Sequence, residues 1–181
     1  MPLVLRSAEM SDLPDIVKLM NVAFRGVGPQ AGWNNEIQYI DGDRTNEALL
    51  REELAAQPDS FLLIVREPAD QTILGCVWLQ PASSATWYLG SLAIDPLLQN
   101  SGLGRELLHS AEQWAQDRGA QTIRMKVLNI RDMLISWYER RGYHLTGESS
   151  PFPYGDTRFG TPRRDDLAFV ILEKPLAAEG A

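Results

Sequence analysis

Two glycines separated by one residue, Gly102 and Gly104, lie between an apolar run typical of a strand and an apolar run typical of a helix. Glycine has no Cβ, so the backbone at such a junction can approach a ligand closely. The first N–H groups of the following helix have no partner within the helix, and the helix dipole adds positive potential there. The spacing indicates a cradle for an anion such as a phosphate or pyrophosphate. A tight strand-to-helix turn without a ligand is the alternative.

Two common phosphate-binding motifs do not match this stretch. A P-loop has a lysine directly after its second glycine, whereas Arg105 follows Gly104. A dinucleotide-binding fingerprint needs a third glycine where this chain has Leu107, and it expects the first strand of a parallel βαβ unit before the loop. The preceding strand here instead ends a predicted hairpin meander, so both motifs are excluded.

The elements around the glycines follow from hydrophobic periodicity. Three apolar runs over residues 61–66, 72–80 and 86–94 have short polar connections, which predicts an antiparallel meander. The complete predicted order is β-α-α-β-β-β-α-β-α-β-β. This order is typical of a mixed α/β fold, with one twisted, mostly antiparallel sheet flanked by helices.

Several boundaries can be predicted from individual residues. Leu3–Arg6 is expected to be a short strand, and the second helix is expected to begin at Thr45. Ser11 and Asp132 are of the residue types that cap helices, so they are predicted to cap the first and last helices. No repeat, low-complexity segment or linker divides the chain, and residues 1–181 are therefore expected to form a single domain.

Composition and charge restrict the function classes. The chain has 181 residues, of which 44% are hydrophobic and 23% charged, as in an ordinary globular protein. A net charge of −7 disfavours nucleic acid and anionic lipid, so we expect neither as a partner. Cys76 is the only cysteine, which excludes an internal disulfide and a thiolate zinc cluster, and no metal is expected.

The absence of an apolar signal-peptide core near the start, and of any run near ~18 apolar residues, predicts a cytoplasmic protein without a membrane span.

The pattern Gln-x-x-Gly-x-Gly at 99–104, preceded by LAIDP and followed by an amphipathic helix, resembles the acetyl-CoA loop of the GNAT superfamily of N-acetyltransferases. The segment WYERRGY at 137–143 resembles the family's Tyr-x-x-x-Gly-Phe segment, and the order of elements matches that fold along essentially the whole chain. The resemblance implies direct transfer of an acetyl group from acetyl-CoA to the amine of a small acceptor. It does not indicate which amine.

The resemblance also implies roles for particular residues. Tyr138 would be the general acid that protonates the leaving CoA thiolate, although the same residue also extends the apolar stripe of its helix. The backbone of Leu92, Ala93 and Ile94 would pair with the pantetheine arm like an added strand. The CoA pyrophosphate would be bound by Gln99, Asn100, Ser101, Gly102, Leu103, Gly104 and Arg105.

Pantetheine pairing requires the strand over 86–94 to separate from the next strand. Gly90 and Ser91 could host a β-bulge that begins this separation, whereas simple relief of packing is the alternative reason for Gly90.

Two positions depart from the family pattern. The family often has a carboxylate on the strand over 86–94, but Tyr88 occupies that position here. The general base is therefore open between a water chain and an acid of the 25–44 loop, such as Glu36 or Asp43. The family's asparagine seven residues before the tyrosine is Arg131 in this chain. Arg131 could contact a CoA phosphate or an acceptor carboxylate, or it could be an ordinary surface charge.

Two loops, residues 28–44 and 151–160, are expected to form the acceptor site. Their aromatic and charged side chains suit a small polar or zwitterionic amine, and packing of the loops on themselves is the alternative. The candidate acceptor-binding residues are Trp33, Glu36, Tyr88, Phe152 and Arg158.

Other hypotheses stay open beside the enzyme. The missing strand carboxylate is compatible with a non-catalytic acyl-CoA-binding sensor or interaction module of the same fold. A nucleotide-binding protein that uses the glycine loop for another diphosphate is a weaker alternative. Edge strands near the C-terminus could pair two copies of the chain as a homodimer.

Overall fold

The structure is a computed structural model that describes residues 3–178, and its elements follow the predicted alternation of strands and helices. The strands are β1 (Arg6–Ser7), β2 (Ile40–Asp41), β3 (Phe61–Arg66), β4 (Ile73–Pro81), β5 (Thr86–Ile94), β6 (Thr122–Leu128), β7 (His144–Pro151), β8 (Thr161–Pro162) and β9 (Ala168–Pro175). The helices are α1 (Leu13–Arg25), α2 (Glu47–Ala56), α3 (Leu103–Gln116) and α4 (Asp132–Glu139).

Seven strands form one sheet in the order β1-β3-β4-β5-β6-β9-β7. Every neighbouring pair is antiparallel except β5 and β6, which are parallel. The predicted α/β fold, its meander and its mostly antiparallel sheet are therefore confirmed. The prediction of only one sheet is incomplete, because β2 and β8 pair separately as a two-residue ribbon. Strands this short, inside loops rich in Pro and Gly, have no alternating pattern to detect.

Some element boundaries differ from the predictions. The first strand is Arg6–Ser7 rather than Leu3–Arg6. Ser11 does not cap α1, because it lies in a 3-10 turn before the helix, where the Asp12 carboxylate accepts from the Glu9 N–H at 2.7 Å. The second helix begins two residues after Thr45, since the Asn46 side chain accepts from the Leu49 N–H at 2.9 Å and caps the helix there. Asp132 is the first residue of α4 rather than its cap.

Helices cover both faces of the sheet. Along β3, Leu62 and Ile64 face the layer of α1 and α2, whereas Leu63 and Val65 face the layer of α3 and α4. This alternation with a period of two buries both faces of the strand. The sheet is thus held rigidly between two apolar layers, which fixes the strand ends that border the site.

Cys76 lies in the core layer beneath α1 and α2. Its side chain is fully buried, and this burial raises the pKa of the thiol to about 12. The thiol therefore stays protonated and unreactive at neutral pH.

The parallel pairing of β5 with β6 is short. It covers only Thr86 to Tyr88 on β5, and the two strands are unpaired beyond that point. The register of β5 on β4 also shifts, so that Ser91 and Leu92 together oppose Val77, and Ser91 has φ of +49°. This is a β-bulge at the predicted position. The predicted separation of the two strands is confirmed.

Within residues 3–178, no helix combines the length and the apolar character that crossing a membrane requires.

Candidate active site

The separated strands open into a cavity of about 280 Å³. Its floor is formed by β5 and β6, and its walls by α1, α2, α4 and the two long loops. The residues that matter for chemistry in its lining are Arg25, Asn34, Glu36, Arg44, Glu53, Tyr88, Arg131, Tyr138 and Asp156. The volume is at the small end of ligand pockets, so the cavity suits a small molecule.

Tyr138 lies on α4 with its ring buried and in contact with the cavity. The ring packs edge-on against Trp137 and Tyr143, with centroid distances of 5.1 and 5.6 Å. Its hydroxyl makes no hydrogen bond to any described residue. Burial raises the pKa of Tyr138, an effect that Arg131 opposes and Tyr88 reinforces. The hydroxyl therefore keeps its proton at neutral pH and is free to donate it.

The glycine loop presents unpaired amides. Asn100 and Gly102 have φ of +66° and +88°, which turns the chain sharply before α3. Within the described part of the chain, the amides of Gly102, Gly104 and Arg105 have no hydrogen-bond acceptor. Several unpaired N–H groups at the start of a 14-residue helix form a site for an anion.

The protein's own packing does not require glycine at position 104. A Cβ built there would lie 3.6 Å from Ile94 Cδ1 and 3.9 Å from Trp137 Cζ2, both ordinary contacts. The space in front of this residue is thus open to a ligand.

An arginine cluster lies beside the glycine loop. The Arg141 guanidinium stacks 3.6 Å from the centre of the Trp137 ring and donates to the Trp137 carbonyl at 2.7 Å. Burial lowers the pKa of Arg141, and the nearby charges of Arg140 and Arg105 lower it further. Three guanidinium groups therefore concentrate positive charge at one place on an acidic protein. Sequence reasoning named Arg105 and missed the other two, which the Arg-Arg pair directly after α4 could have indicated.

Arg131 is buried, with 7% of its surface exposed, so the alternative of an ordinary surface charge is wrong. One guanidinium nitrogen donates to Asn34 Oδ1 at 2.8 Å, and another lies 3.7 Å from Glu36 Oε1. Arg25 approaches the other oxygen of Glu36 at 3.5 Å. Glu36 is thus held between two buried cations. Arg131 lines the cavity, whereas no residue of the 99–105 loop does.

Glu53 is a cavity carboxylate that sequence reasoning missed. It lies on α2, three residues after the buried Leu50, and therefore on the side of the helix that faces the sheet. Its carboxylate has no hydrogen bond or ion pair with any described residue. Burial raises the pKa of Glu53, although Arg44 and Arg158 oppose the shift. A glutamate within the apolar stripe of a helix is the sequence signal that could have identified it.

Tyr88 replaces the family's strand carboxylate and contributes a half-buried phenol to the cavity. Burial raises its pKa, so it stays neutral. A Cβ at position 90 would lie 2.9 Å from the Tyr88 hydroxyl, so Gly90 makes room for this ring as well as beginning the bulge. Both readings of Gly90 are therefore compatible.

The other candidates are divided between the cavity and its surroundings. Phe152 and Leu92 line the cavity, whereas Ala93 and Ile94 pack into the two core layers. Trp33 lies outside the cavity, with its ring centre 6.1 Å from that of Trp137. The backbone N–H of Trp33 donates to Gln99 Oε1 at 2.8 Å. The Gln99 side chain thus ties the 28–44 loop to the glycine loop.

Arg158 also lies outside the cavity lining. It binds Asp156 through both carboxylate oxygens, at 2.9 and 2.7 Å, and lowers the pKa of Asp156 to about 2. Asp156 is therefore ionised and occupied by this arginine. In residues 3–178, no three His, Cys, Asp or Glu side chains are grouped so that they could hold a metal ion.

Two curated proteins are similar in sequence to parts of this chain. The mycothiol acetyltransferase of Rhodococcus erythropolis is 27% identical over 140 residues, which is 73% of this chain and 43% of that protein. The mycothiol acetyltransferase of Beutenbergia cavernae is 30% identical over 84 residues, 46% of this chain and 28% of that protein. The chain thus spans less than half the length of these curated relatives.

Solved structures share the fold over nearly the whole chain. The structure of yncA from Salmonella typhimurium with its cofactor acetyl-CoA has a TM-score of 0.66 at 17% identity, covering 100% of this chain and 98% of that chain. The ribosomal-protein-S18-alanine N-acetyltransferase of Escherichia coli has a TM-score of 0.65 at 19% identity, covering 98% and 97%. The model of the acetyltransferase (GNAT) family matches residues 24–143, which include the separated strands, the glycine loop and Tyr138. The chain belongs to the GNAT family of acetyltransferases.

Proposed function

We propose that this protein transfers the acetyl group of acetyl-CoA directly to the amine of a small acceptor. The observation that carries the proposal is the separation of β5 from β6, with the free Tyr138 hydroxyl at the opening and the unpaired amides of the glycine loop beside it. Direct transfer is supported by the state of Cys76, since a buried thiol with a pKa of about 12 cannot carry the acetyl group.

The binding of acetyl-CoA can be assigned to three features. The amides of Gly102, Gly104 and Arg105 would hold the pyrophosphate, and the arginine cluster would attract the remaining phosphate charge. The edge of β5 from the bulge to Ile94 has no strand partner on the β6 side, so its backbone is available to the pantetheine arm. This arrangement would direct the thioester towards Tyr138, which lines the cavity.

The acceptor amine is an ammonium at neutral pH, so a base first takes one proton and frees the lone pair of the nitrogen. The neutral nitrogen attacks the thioester carbonyl carbon, and the C–S bond then breaks. Tyr138 gives its proton to the departing sulfur, and the second proton that the nitrogen loses restores the Tyr138 hydroxyl.

We assign the base to Glu53 by elimination among the acids of the site. Glu36 already faces two guanidinium groups, and Asp156 is bound by Arg158. Asp43 is exposed and does not line the cavity. Glu53 is the carboxylate of the described cavity lining that has no cationic partner, and its raised pKa brings it closer to the neutral range in which a base works best.

Replacing Gly104 with valine is expected to weaken CoA binding by at least about tenfold, because a branched side chain would fill the space in front of the free amides. Isothermal titration calorimetry with CoA measures the effect. Gly155→Val is the control, since a Cβ at Gly155 meets nothing within 4 Å and the residue lies far along the chain from the glycine loop. A folded Gly104→Val protein with parental affinity for CoA would contradict the assignment of pyrophosphate binding to the glycine loop.

Release of free CoA during incubation of acetyl-CoA with a panel of small amines tests the activity itself. Turnover with at least one amine supports the enzyme. Tight CoA binding without turnover on any amine would favour the alternative of a non-catalytic acyl-CoA sensor.

A further inference from the structure

The charged groups of the cavity indicate which kind of amine it accepts. We propose that the acceptor is a free amino acid with an uncharged side chain, and that Arg44 binds its carboxylate. This inference rests on the proposed function, because it names the substrate class of the same site.

Arg44 is a guanidinium held in place without a polar partner. Its Cζ lies 5.8 Å from the centre of the Phe24 ring and 5.4 Å from that of Phe159. Its backbone is fixed as well, since the Arg44 N–H donates to Asn21 Oδ1 at 2.8 Å. The half-buried side chain makes no hydrogen bond or ion pair with any described residue. Because the side chain lines the cavity, its N–H donors are available to a ligand there.

The two buried cations of the cavity, Arg25 and Arg131, already face a carboxylate, although Nε of Arg25 and one terminal nitrogen of Arg131 make no hydrogen bond to any described residue. Arg25 donates to the carbonyls of Gly42 and Phe159, both at 2.9 Å, and shares Glu36 with Arg131. Arg25 and Arg131 thus share the Glu36 carboxylate, and the exposed Asp43 adds weaker negative charge near Arg25.

Arg44 lies close enough to Arg25 that its charge lowers the pKa of Arg25 further, after burial. The remaining lining cation, Lys126, is exposed to water. An anion beside Arg44 would relieve this repulsion. A carboxylate fits best, because its two oxygens match the parallel N–H groups of a guanidinium.

Glu53 faces the same cavity without a hydrogen bond or ion pair to a described residue, although the charge of Arg44 acts on it. It would receive the ammonium group of the acceptor and then its proton, while Arg44 holds the carboxylate. Opposite charges on two walls of one small cavity match a zwitterion.

The rest of the cavity lining determines which kind of side chain the acceptor can have. Four phenylalanines contribute apolar surface to the cavity, together with Ile40 and Leu134. The phenylalanines are Phe24, Phe152, Phe159 and Phe169. The amine and the carboxylate of the acceptor would contact Glu53 and Arg44. The side chain of the acceptor would then lie against the apolar surface, which favours an uncharged side chain.

Matched pairs of amines test the proposal. L-leucine, L-methionine and L-phenylalanine are each compared with their amides and with their decarboxylated amines, which keep the side chain and the amine but lack the carboxylate. We expect kcat/KM for acetyl transfer to be about 10- to 100-fold higher for at least one acid than for its amide, as a charge-assisted bidentate contact would give. Arg44→Gln is expected to remove this preference. Arg51→Gln, which changes an exposed arginine of α2, is expected to preserve it.

A binding measurement separates this inference from the proposed function. The same amino acids are titrated into the CoA-loaded parent protein and the CoA-loaded Arg44→Gln protein. Binding that depends on Arg44 supports the inference even if no amine is acetylated, in which case the proposed function fails alone. Equal use of acids and amides, use of amides only, or neither binding nor acetylation of any acid would overturn the inference.

Discussion

Tyr138→Phe is expected to lower kcat by about 10²- to 10⁴-fold, the range usual for loss of a general acid. The substitution removes only the hydroxyl, and the ring keeps its edge-on contacts with Trp137 and Tyr143. The Kd for CoA should stay near the parental value, because the glycine loop and the β5 edge lie elsewhere. Steady-state kinetics and calorimetry on the same preparation measure both quantities.

Tyr143→Phe is the matched control for this experiment. Tyr143 is also buried, but its hydroxyl donates to Glu112 at 2.8 Å and does not reach the cavity. Losing that hydrogen bond should lower the melting temperature and leave kcat nearly unchanged. If Tyr138→Phe behaves like this control, with chemistry shown to be rate-limiting, then Tyr138 is a packing residue.

The pH dependence of the parent protein follows from the raised pKa of Tyr138. A tyrosine with an ordinary pKa near 10 begins to lose its proton below that pH. Burial shifts the titration of Tyr138 upward, so the acid stays protonated through the neutral and mildly alkaline range. Any fall of activity on the alkaline side below about pH 10 would have to come from another group.

Glu53→Gln is expected to reduce kcat/KM for the acceptor by about 10²- to 10³-fold at neutral pH, because the amine then has no base to take its proton. In the parent protein, activity should rise with pH as Glu53 loses its proton, at a pH above the ordinary value for glutamate. The variant should lack this acidic limb and recover rate at alkaline pH, where the amine is already neutral. Rate profiles between pH 5 and about 10 compare the two.

Glu52→Gln provides the control on the same helix, since the neighbouring side chain is exposed and lies outside the cavity. It should retain the parental profile. A Glu53→Gln protein that keeps the parental rate and the parental acidic limb would show that the proton leaves by another route, such as a water chain.

The sequence predicted the framework of the site because that framework depends on local patterns. Alternating apolar residues define the strands, and the position of Gly90 and Ser91 located the bulge that separates β5 from β6. Spacing alone indicated a candidate anion site at the glycine loop and left a turn without a ligand open, and the resemblance to the GNAT family supplied CoA as the expected ligand. Each of these signals is contained in fewer than about ten consecutive residues, which is the range over which periodicity is informative.

The charged interior was harder to predict, because it depends on contacts between distant segments. Arg131 contacts Asn34 across 97 residues of sequence and lies beside the Glu36 carboxylate, and these two contacts accompany its burial. An isolated arginine at a helix start gives no indication of such partners. The role of Glu53 depends in the same way on how α2 lies over the sheet, which helix periodicity does not specify.

The position of Cys76 has a practical consequence for following the reaction with a chromogenic disulfide reagent. The chain has no other cysteine, and this one is fully buried with a pKa of about 12. The folded enzyme should therefore contribute no background colour, and each equivalent of product thiol should derive from CoA. After denaturation, the same reagent should titrate one thiol per chain, so Cys76 becomes an internal reporter of unfolding in every variant described above.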